Sequence, residues 1–375
     1  MVAMLRFVWL PILMSFTGCI GGYCEDPRTV VSAASTEPGS LRVGVEFRAY
    51  GMSIAALHDG SAVCLTCSAA LTLDQQLHST GGTDASKPLQ VAVAPDDTVY
   101  FLDRPPENNV PRVDVVAYEP GGGVRWRTRF DDSLGDLVAS ADAAYVTHEA
   151  GGPPLIFALD AATGESRQLP IAPQFLLGAA REGIFTGEGQ TVSDTVTLHH
   201  VGPTGAVLWS RTLTSSNGFI QVARAVPSPD DGGIFIANAS KPVDFGDYQT
   251  GDATGPQFGL VFELDATGAT QWAFTVPTAY LGNMALTRDG QIVLTGGTVM
   301  PTGNHQFLAL ATSTGILRSH DFDGTAYVSG LAAGADGLAW LQMTVEAGED
   351  DPPPVLHIAG HTFTDDSTYL FGIVL

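Results

Sequence analysis

The feature that most constrains this chain is an internal repeat in which an apolar strand, a turn rich in Asp and Gly, and a second strand recur. Seven copies are recognisable, with turns at positions 60, 97, 142, 183, 232, 290 and 337. Their mean spacing of about 46 residues is typical of repeats that each form one small sheet. Asp and Gly suit these turns because they tolerate the positive φ that a tight hairpin requires. The sequence therefore predicts an all-β domain built from repeated units.

A second hairpin follows the first, usually with a Thr-Gly or Gly-Gly turn and often with a Trp a few residues later. Trp126, Trp209 and Trp272 occupy that position. Two hairpins give four strands per repeat, and because an isolated hairpin is only marginally stable, each unit must pack against its neighbours. Radial closure provides this packing and leaves only short edges. We therefore expect a seven-bladed β-propeller of four-stranded antiparallel blades.

The two ends of the repeat region each lack a partner. The segment 41–47 alternates apolar and polar residues and precedes the first repeat, whereas 369–375 ends the last repeat without a fourth strand. Pairing these two strands would close the ring and remove two exposed sheet edges. The sequence thus predicts a propeller domain over 41–375, closed by its N- and C-terminal strands.

The N-terminal residues predict export and a lipid anchor. Residues 1–18 contain one Arg, no acid and an apolar run of about ten residues, which is typical of a signal peptide and too short to span a bilayer. Thr17-Gly18-Cys19 is similar to the lipobox of bacterial lipoproteins, so Cys19 is the expected lipidation site; a plain cleaved signal peptide is the alternative. Residues 19–40 are interpreted as a flexible tether. Ile20 after the cysteine favours, by resemblance to Gram-negative lipoproteins, the outer membrane.

The other three cysteines leave several interpretations open. Export permits disulfides, and Cys24, Cys64 and Cys67 remain once Cys19 is lipidated. Cys64 and Cys67 have a redox or zinc spacing, but on a strand they would face opposite sides of the sheet. They are interpreted as buried structural cysteines, with a disulfide to Cys24 or a metal or redox role as alternatives.

The repeat phrases carry a resemblance to known families. The segments 159–165, 243–246, 264–272 and 289–296 resemble bacterial β-propeller-repeat surface lipoproteins and are similar to quinoprotein-type propeller repeats. The resemblance covers residues 50–375 and implies a propeller fold, whereas activity depends on the site that each protein builds on it. Quinoprotein alcohol dehydrogenases carry an adjacent Cys-Cys pair near the cofactor, and this sequence has no such pair.

Catalytic and metal motifs are scarce in the sequence. Gly-x-Ser-x-Gly and His-Glu-x-x-His are both absent. His199-His200 and the pair His357 and His361 are interpreted as surface or satisfied structural imidazoles. No cofactor is expected from the sequence; Ca²⁺ is the alternative because acidic clusters suit it, although aspartate is also common in turns. The chain has a formal charge of −23 and lacks the basic stripe that nucleic-acid binding needs, so nucleic acid is excluded as a partner.

The irregular loops are the expected binding elements, because long loops on a rigid scaffold commonly carry function. They are the insertion 241–257 and the loop 346–354, with Asp244, Asp247, Tyr248, Asp252, Asp350 and Asp351 as candidate binding residues. The leading hypothesis is a non-catalytic envelope lipoprotein that binds a protein or glycan. The alternatives are an enzyme of the hydrolase or quinone-dependent dehydrogenase type, with its site at the central channel, and an envelope assembly scaffold. A channel lined by acids and histidines would favour the enzyme, and a large apolar patch on the rim would favour binding or assembly.

Overall fold

The computed structural model describes the chain from Arg28 to Val374 with interruptions. Outside the described residues lie 1–27, 33–40, 48–52, 58, 60, 66–68, 74–78, 85–87, 105–111, 121–122, 132–133, 149–153, 173, 189–192, 251–256, 278–279, 301–302, 325, 334–337, 346–354, 359–360, 364–366 and 375. Every regular element in the described part is a β-strand. No membrane-spanning helix occurs there.

The strands form antiparallel sheets in chain order. The first two strands are β1 (Arg28–Ser32) and β2 (Leu41–Phe47). Sheet 1 consists of β3 (Ile54–Ala56), β4 (Ala62–Leu65), β5 (Ala69–Leu73) and β6 (Ser79–Asp84). Sheet 2 consists of β7 (Pro88–Val93), β8 (Val99–Asp103), β9 (Val113–Tyr118) and β10 (Val124–Phe130). Sheet 3 consists of β11 (Leu134–Ala139), β12 (Ala143–His148), β13 (Leu155–Asp160) and β14 (Ser166–Gln168).

The second half of the chain continues the same order. Sheet 4 consists of β15 (Phe175–Ala179), β16 (Ile184–Glu188), β17 (Thr195–Val201) and β18 (Val207–Thr214). Sheet 5 consists of β19 (Ile220–Pro227), β20 (Gly233–Ala239), β21 (Phe258–Leu264) and β22 (Thr270–Pro277). Sheet 6 contains β23 (Tyr280–Leu286), β24 (Ile292–Met300), β25 (Gly303–Thr312) and β26 (Gly315–Gly324). The last strands are β27 (Ala326–Ala333), β28 (Leu338–Val345), β29 (Leu356–Ile358), β30 (His361–Phe363) and β31 (Ser367–Val374).

The first strands of the sheets surround a common centre. The first strand of each sheet, from β3 to β23, contacts the first strand of the next, and β27 contacts β3. The fold is therefore a β-propeller of antiparallel blades, and five sheets have the expected four strands. Middle strands such as β9 and β20 are buried at every residue because neighbouring sheets cover both of their faces. This burial explains their nearly continuous apolar sequences.

The predicted pairing of the chain ends is present. β2 pairs antiparallel with β31, with Leu41 opposite Ile373 and Phe47 opposite Thr368. Sheet 7 accordingly runs β27-β28-β31-β2, with β1 added outside β2. Residues 28–32 of the predicted tether are thus a strand, and the tether interpretation is wrong for them. Cys19 and the predicted signal peptide lie outside the described residues.

Uniform four-stranded blades were expected, and two sheets depart from that expectation. β1 adds a fifth strand to sheet 7, and β29 pairs with β26 so that the β29–β30 hairpin extends sheet 6 to six strands. An outermost strand leaves one row of backbone N–H and C=O groups unpaired. The added strands satisfy part of that row, which gives a physical reason for the departure.

Two tryptophans of the fourth strands, Trp126 and Trp209, join neighbouring sheets. Trp126 in sheet 2 donates its Nε1–H to the carbonyl of Ala161 at 3.0 Å in the β13–β14 turn of sheet 3. A Cβ on Gly164 of that turn would lie 2.5 Å from the Trp126 ring, so glycine is required for this contact. Trp209 of sheet 4 packs in the same way against Gly268 of sheet 5. The indole rings therefore fill the space between one sheet and the next turn.

Side-chain amides form a second kind of link between sheets. Asn238 is fully buried and bonds both backbone groups of Leu281, accepting from its N–H at 2.8 Å and donating to its carbonyl at 3.1 Å. Gln90 bonds Leu137 likewise, at 3.0 and 3.4 Å. Each amide imitates a strand backbone, so it satisfies buried groups where one sheet meets the first strand of the next.

Candidate binding surface

The two ends of the sheets differ in the connections that they carry. Tight turns join the first strand to the second and the third strand to the fourth, and because neighbouring strands are antiparallel these turns share one end of the propeller, here called the turn face. The connections from the second strand to the third start at the opposite end, here called the loop face, and the described part of one of them, residues 240–250, is irregular. This irregular segment therefore starts opposite the turn face.

Neighbouring turns hold one another on the turn face. Arg181 of sheet 4 forms an ion pair with Asp231 of sheet 5 at 2.7 Å. The N–H of Gly183 donates to Asp142 of sheet 3 at 3.3 Å, and Gly183 has a φ of 83°. These contacts fix the turns relative to each other, so the turn face is a regular surface.

The described part of the predicted insertion, residues 241–250, is an ordered segment that starts at the loop face and follows the outer edge of β22, and we call it the clamp. Val243 and Phe245 are buried, and Phe245 packs edge-on against Phe262 with ring centroids 5.0 Å apart. Thr250 and Val243 form two hydrogen bonds that close the segment. The Val243 N–H donates to Thr250 Oγ1 at 2.8 Å, and the Thr250 N–H donates to the Val243 carbonyl at 3.0 Å. The clamp is therefore anchored by its own core residues.

The clamp connects the outermost strands of sheets 4 and 5. Asp244 exchanges two backbone hydrogen bonds with Thr214 at the end of β18, at 2.8 and 3.0 Å. Asp247 accepts from the backbone N–H of Thr270 in β22 at 3.2 Å and from its hydroxyl at 2.9 Å. It also forms an ion pair with Arg211 of β18. The clamp therefore bonds two fourth strands at once.

Two of the predicted binding residues thus have structural partners. The Asp244 side chain accepts from the N–H of Gly246 at 2.6 Å. Partial burial tends to raise the pKa of Asp247, but its hydrogen bonds from Thr270 and the charge of Arg211 outweigh this and hold the pKa below its usual value. A partner-binding role for these carboxylates stays a prediction. The candidates Asp252, Asp350 and Asp351 lie outside the described residues, as does the loop 346–354.

Tyr248 is the described candidate with a free surface. Its hydroxyl donates to the carbonyl of Ala273 in β22 at 3.3 Å, and its ring packs edge-on against Phe245 at 6.0 Å. The ring is nevertheless 41% exposed. Tyr248 is therefore held at both ends while it presents an aromatic surface.

Exposed aromatic and exposed aliphatic side chains occupy different parts of the surface. Among the described residues, the exposed aromatic residues are Phe175, Tyr248 and Tyr280. Phe175 and Tyr280 begin the first strands of sheets 4 and 6 at the loop face, and Tyr248 lies in the clamp beside the outer edge of β22 in sheet 5. The exposed aliphatic residues begin fourth strands at the turn face; they are Val124, Val207, Leu208, Ile316 and Leu317.

A repeated β-bulge explains the exposed aliphatic residues and was not predicted from the sequence. Val207 pairs with Val201 and Trp209 with His200, so Leu208 is an extra residue in the strand. The bulge turns Trp209 inward and leaves Val207 and Leu208 outside. Leu317 is the extra residue of β26 in the same way. The two residues between each turn and its Trp were the available sequence signal.

Sheet 4 carries a polar network on its loop-face half. Ser210 Oγ lies 2.7 Å from His199 Nδ1, and His199 Nε2 lies 3.5 Å from a carboxylate oxygen of Glu188. Gln174 donates to the same carboxylate at 3.0 Å. Burial lowers the pKa of His199, and Glu188 opposes that shift only in part. The network spans separate strands, so only the sheet register brings its members together.

This network differs from a hydrolase triad in its backbone. Ser210 lies within the regular strand β18, whereas a nucleophilic serine of the Gly-x-Ser-x-Gly type occupies a sharp strand-to-helix turn. His200 bonds the carbonyl of Glu182 at 3.1 Å and packs between Phe185 and Trp209. These contacts support a structural role for His200, although its Nδ1 is buried without a hydrogen-bond partner among the described residues.

The other residues that the sequence singled out lie apart. His357 and His361 lie on the two strands of the β29–β30 hairpin, with His361 opposite Ile358. Cys64 is buried, and burial raises the pKa of its thiol to about 12, which disfavours the thiolate that metal or redox chemistry requires. Cys24 and Cys67 lie outside the described residues.

The first strands of the sheets surround the central axis. The seven of them contain two charged residues, Asp136 and Arg224, and no histidine. In the described part of the chain, no three His, Cys, Asp or Glu side chains are close enough to hold a metal ion. The converging acids and histidines expected of a channel enzyme are therefore not found in these strands. Calcium binding stays a prediction.

Comparisons with known proteins give structural likenesses alone. The sequence matches no protein-family model and no curated protein. BamB from Moraxella catarrhalis is similar with a TM-score of 0.44 at 14% identity, covering 88% of this chain and 99% of that one. Hsv2 from Kluyvelomyces marxianus has a TM-score of 0.46 at 8% identity, covering 83% and 97%. The β-propeller domain of the Trilobed protease from Pyrococcus furiosus has 0.41 at 10%, covering 92% and 98%.

Proposed function

We propose that this protein is a non-catalytic, lipid-anchored protein of the cell envelope that binds a protein or glycan through exposed aromatic residues on sheets 4 to 6. The observation that carries the proposal is the exposure of one aromatic residue on each of three consecutive sheets, namely Phe175, Tyr248 and Tyr280. Aromatic side chains offer large contact areas at low cost in conformational entropy, and interfaces are enriched in them. Residues of this kind suit recognition of a partner.

The scaffold beneath these rings is proposed to be a closed ring of seven blades. The cyclic contacts of the first strands and the β2–β31 pairing support this count. A closed ring has no splayed end, so it holds side chains on neighbouring sheets at fixed separations. Rigid placement limits the entropy lost on binding.

The enzyme alternative has less support. Asp136 and Arg224 are the charged residues of the first strands, and the His199 network lies within a sheet whose serine occupies a regular strand. A scaffold role, the third alternative, would require a second surface besides the aromatic one. The exposed aromatic residues on sheets 4 to 6 favour binding over the enzyme and scaffold alternatives.

A matched pair of triple variants tests the proposed surface. Phe175→Ser, Tyr248→Ser and Tyr280→Ser together should abolish retention of envelope extract on the immobilised full chain. Val207→Ser, Leu208→Ser and Ile316→Ser remove apolar surface from the turn face and serve as the control; Ile316 is 40% exposed, like Tyr248 at 41%. Extract treated with protease or with periodate would distinguish a protein partner from a glycan. Equal retention by both triple variants would contradict the proposal.

The lipid anchor has a separate test. Cys19→Ser should move the protein from the membrane fraction to the soluble fraction, and mass spectrometry of the unsubstituted protein should find acyl chains on Cys19. The motivation is the apolar run that ends in Thr17-Gly18-Cys19. An unmodified Cys19 in a soluble mature protein would show the anchor to be wrong.

A further inference from the structure

Several outer sheet edges are covered by other parts of the chain. The clamp lies against β18 and β22, β29 pairs with β26, and β1 pairs with β2. β10 differs, because it is the last strand of sheet 2 and no described strand pairs with its outer side. It also has seven residues, whereas the outermost strand of sheet 3, β14, has three. Its edge is therefore long enough to pair with another strand.

The register shows which backbone groups of β10 face outward. Glu119 donates to the Gly123 carbonyl at 2.9 Å, and beyond the bulge Trp126 lies opposite Ala117. Because hydrogen-bonded and non-bonded pairs alternate along an antiparallel ladder, the N–H and C=O of Val124 and Arg127 point away from β9.

The equivalent groups of β22 support this assignment. Thr270 and Ala273 hold the same positions relative to Trp272 that Val124 and Arg127 hold relative to Trp126. The Thr270 N–H and the Ala273 carbonyl are the groups that the clamp bonds through Asp247 and Tyr248. The outward groups of β10 are thus of the kind that a neighbouring segment occupies elsewhere in this chain.

Two arginine side chains lie on the solvent side of β10. Arg127 lies 2.9 Å from Asp114 and 3.5 Å from Asp103, and Arg129 lies 3.1 Å from Asp114. The two carboxylates are buried, but the guanidinium side chains are 41% and 51% exposed. The β10 edge therefore presents two partly exposed guanidinium groups, which are paired with buried carboxylates beneath them.

We propose that the β10 edge binds an extended acidic peptide segment of another protein by strand addition. Backbone hydrogen bonds to Val124 and Arg127 would give affinity, and acidic side chains at alternate positions would lie beside Arg127 and Arg129. A second copy of β10 is a poor occupant because it would set arginines against arginines, and like charges directly opposite are destabilising. The edge lies on sheet 2, apart from the aromatic residues on sheets 4 to 6.

Hydrogen exchange on the folded full chain tests this proposal without a substitution. The probe is an eight-residue peptide of alternating Glu and Val. At saturating peptide, exchange of the Val124 and Arg127 amides should slow about tenfold, while the Thr270 amide, already bonded by the clamp, should not change. A peptide of alternating Lys and Val should bind at least about tenfold more weakly, because both cross-strand charge pairs become repulsive.

A third peptide isolates the backbone contribution. The Glu-Val peptide with N-methyl groups on every second residue keeps its charges but loses half of its amide donors, and it should lose the protection at Val124 and Arg127. Equal binding of the methylated peptide would show that charge alone is responsible and would overturn strand addition. Equal binding of the Lys peptide, or no slowing at Val124 and Arg127 with the Glu-Val peptide, would overturn the proposal as well.

Discussion

The outermost strands of sheets 5 and 2 occupy the same position in the repeat but deal with their free edges in different ways. β22 and β10 each begin after a tight turn, contain a bulge and carry a Trp at the equivalent residue. The edge of β22 is covered by the clamp, whereas that of β10 carries arginines held by buried carboxylates. Covering an edge and charging it are both known protections against unwanted strand pairing. Equivalent strands of the repeat are thus protected in two ways, and the two kinds of protection depend on different stabilising interactions.

The largest expected effect concerns the charged edge. Substituting Arg127→Gln and Arg129→Gln together would leave the buried carboxylates of Asp103 and Asp114 directly opposite each other in neighbouring strands without the guanidinium ion pairs. Because an uncompensated buried charge is strongly unfavourable, the free energy of unfolding should fall by about 3–5 kcal/mol at pH 7. Urea denaturation followed by circular dichroism measures the change.

The matched control adds Asp103→Asn and Asp114→Asn to the arginine double variant. Removing the buried charges should restore much of the lost stability, because two amides have a far smaller desolvation cost than two carboxylates. A quadruple variant no more stable than the double variant would show that the arginines act by packing and not by charge.

The covered edge should depend on an apolar anchor. Phe245→Ala removes the fully buried ring that packs against Phe262 and Tyr248. The cavity and lost burial should lower the free energy of unfolding by about 3 kcal/mol, somewhat less than the charged-edge variant. Thermal unfolding of the full chain measures it. Phe245→Leu keeps most of the volume and should lose under half as much; equal losses would mean that the clamp is not anchored through this ring.

The repeat predicted the strands because its signals are local. Asp-Gly and Thr-Gly turns, apolar runs and equivalent tryptophans each act within a few residues, so the hairpins and the pairing of 41–47 with the C-terminal strand could be inferred from the sequence. The two longer sheets could not, because β29 pairs with β26 through a register that no local pattern encodes. β1 was missed for the same reason, since its short strand lacks a repeat of its own.

The candidate site was predicted less well than the fold. The insertion was chosen for its length and acidic residues, but the partners of Asp247 are Arg211 and Thr270, which lie in two other strands. The exposed rings of Phe175 and Tyr280 were overlooked because each is a single aromatic residue at the start of a strand, where exposure depends on the neighbouring sheets. Side-chain partners across sheets are tertiary information, and the sequence pattern gives none of it.

A smaller effect should follow from removing the charged contact of the clamp. Asp247→Ala deletes the acceptor for Thr270 and the partner of Arg211, and for a partly exposed pair the cost should be about 1 kcal/mol at pH 7. The folded-state pKa of Asp247 lies below its ordinary value of 3.8, so its contribution is fully present above that value and is lost as the pH falls through the folded-state pKa.

Urea denaturation of both proteins at pH 7 and at about pH 3 tests this sign. The difference between the parent chain and Asp247→Ala should narrow at the lower pH. Asp247→Asn keeps an acceptor without the charge and should fall between the two at pH 7. A difference that stays constant over this range would mean that the carboxylate charge contributes nothing to the covered edge.

The smallest effect separates the two roles of Tyr248, whose hydroxyl belongs to the covered edge and whose ring belongs to the exposed surface. Tyr248→Phe removes the hydrogen bond to the Ala273 carbonyl and should lower the free energy of unfolding by about 0.5 kcal/mol, since water replaces the lost donor at this accessible position. Retention of envelope extract should be unchanged, because the exposed ring remains. Tyr248→Ser should lose both stability and retention. If Tyr248→Phe lost retention as fully as Tyr248→Ser, the hydroxyl and not the ring would contact the partner, and the separation between an edge that the clamp covers and a surface that it presents would be wrong.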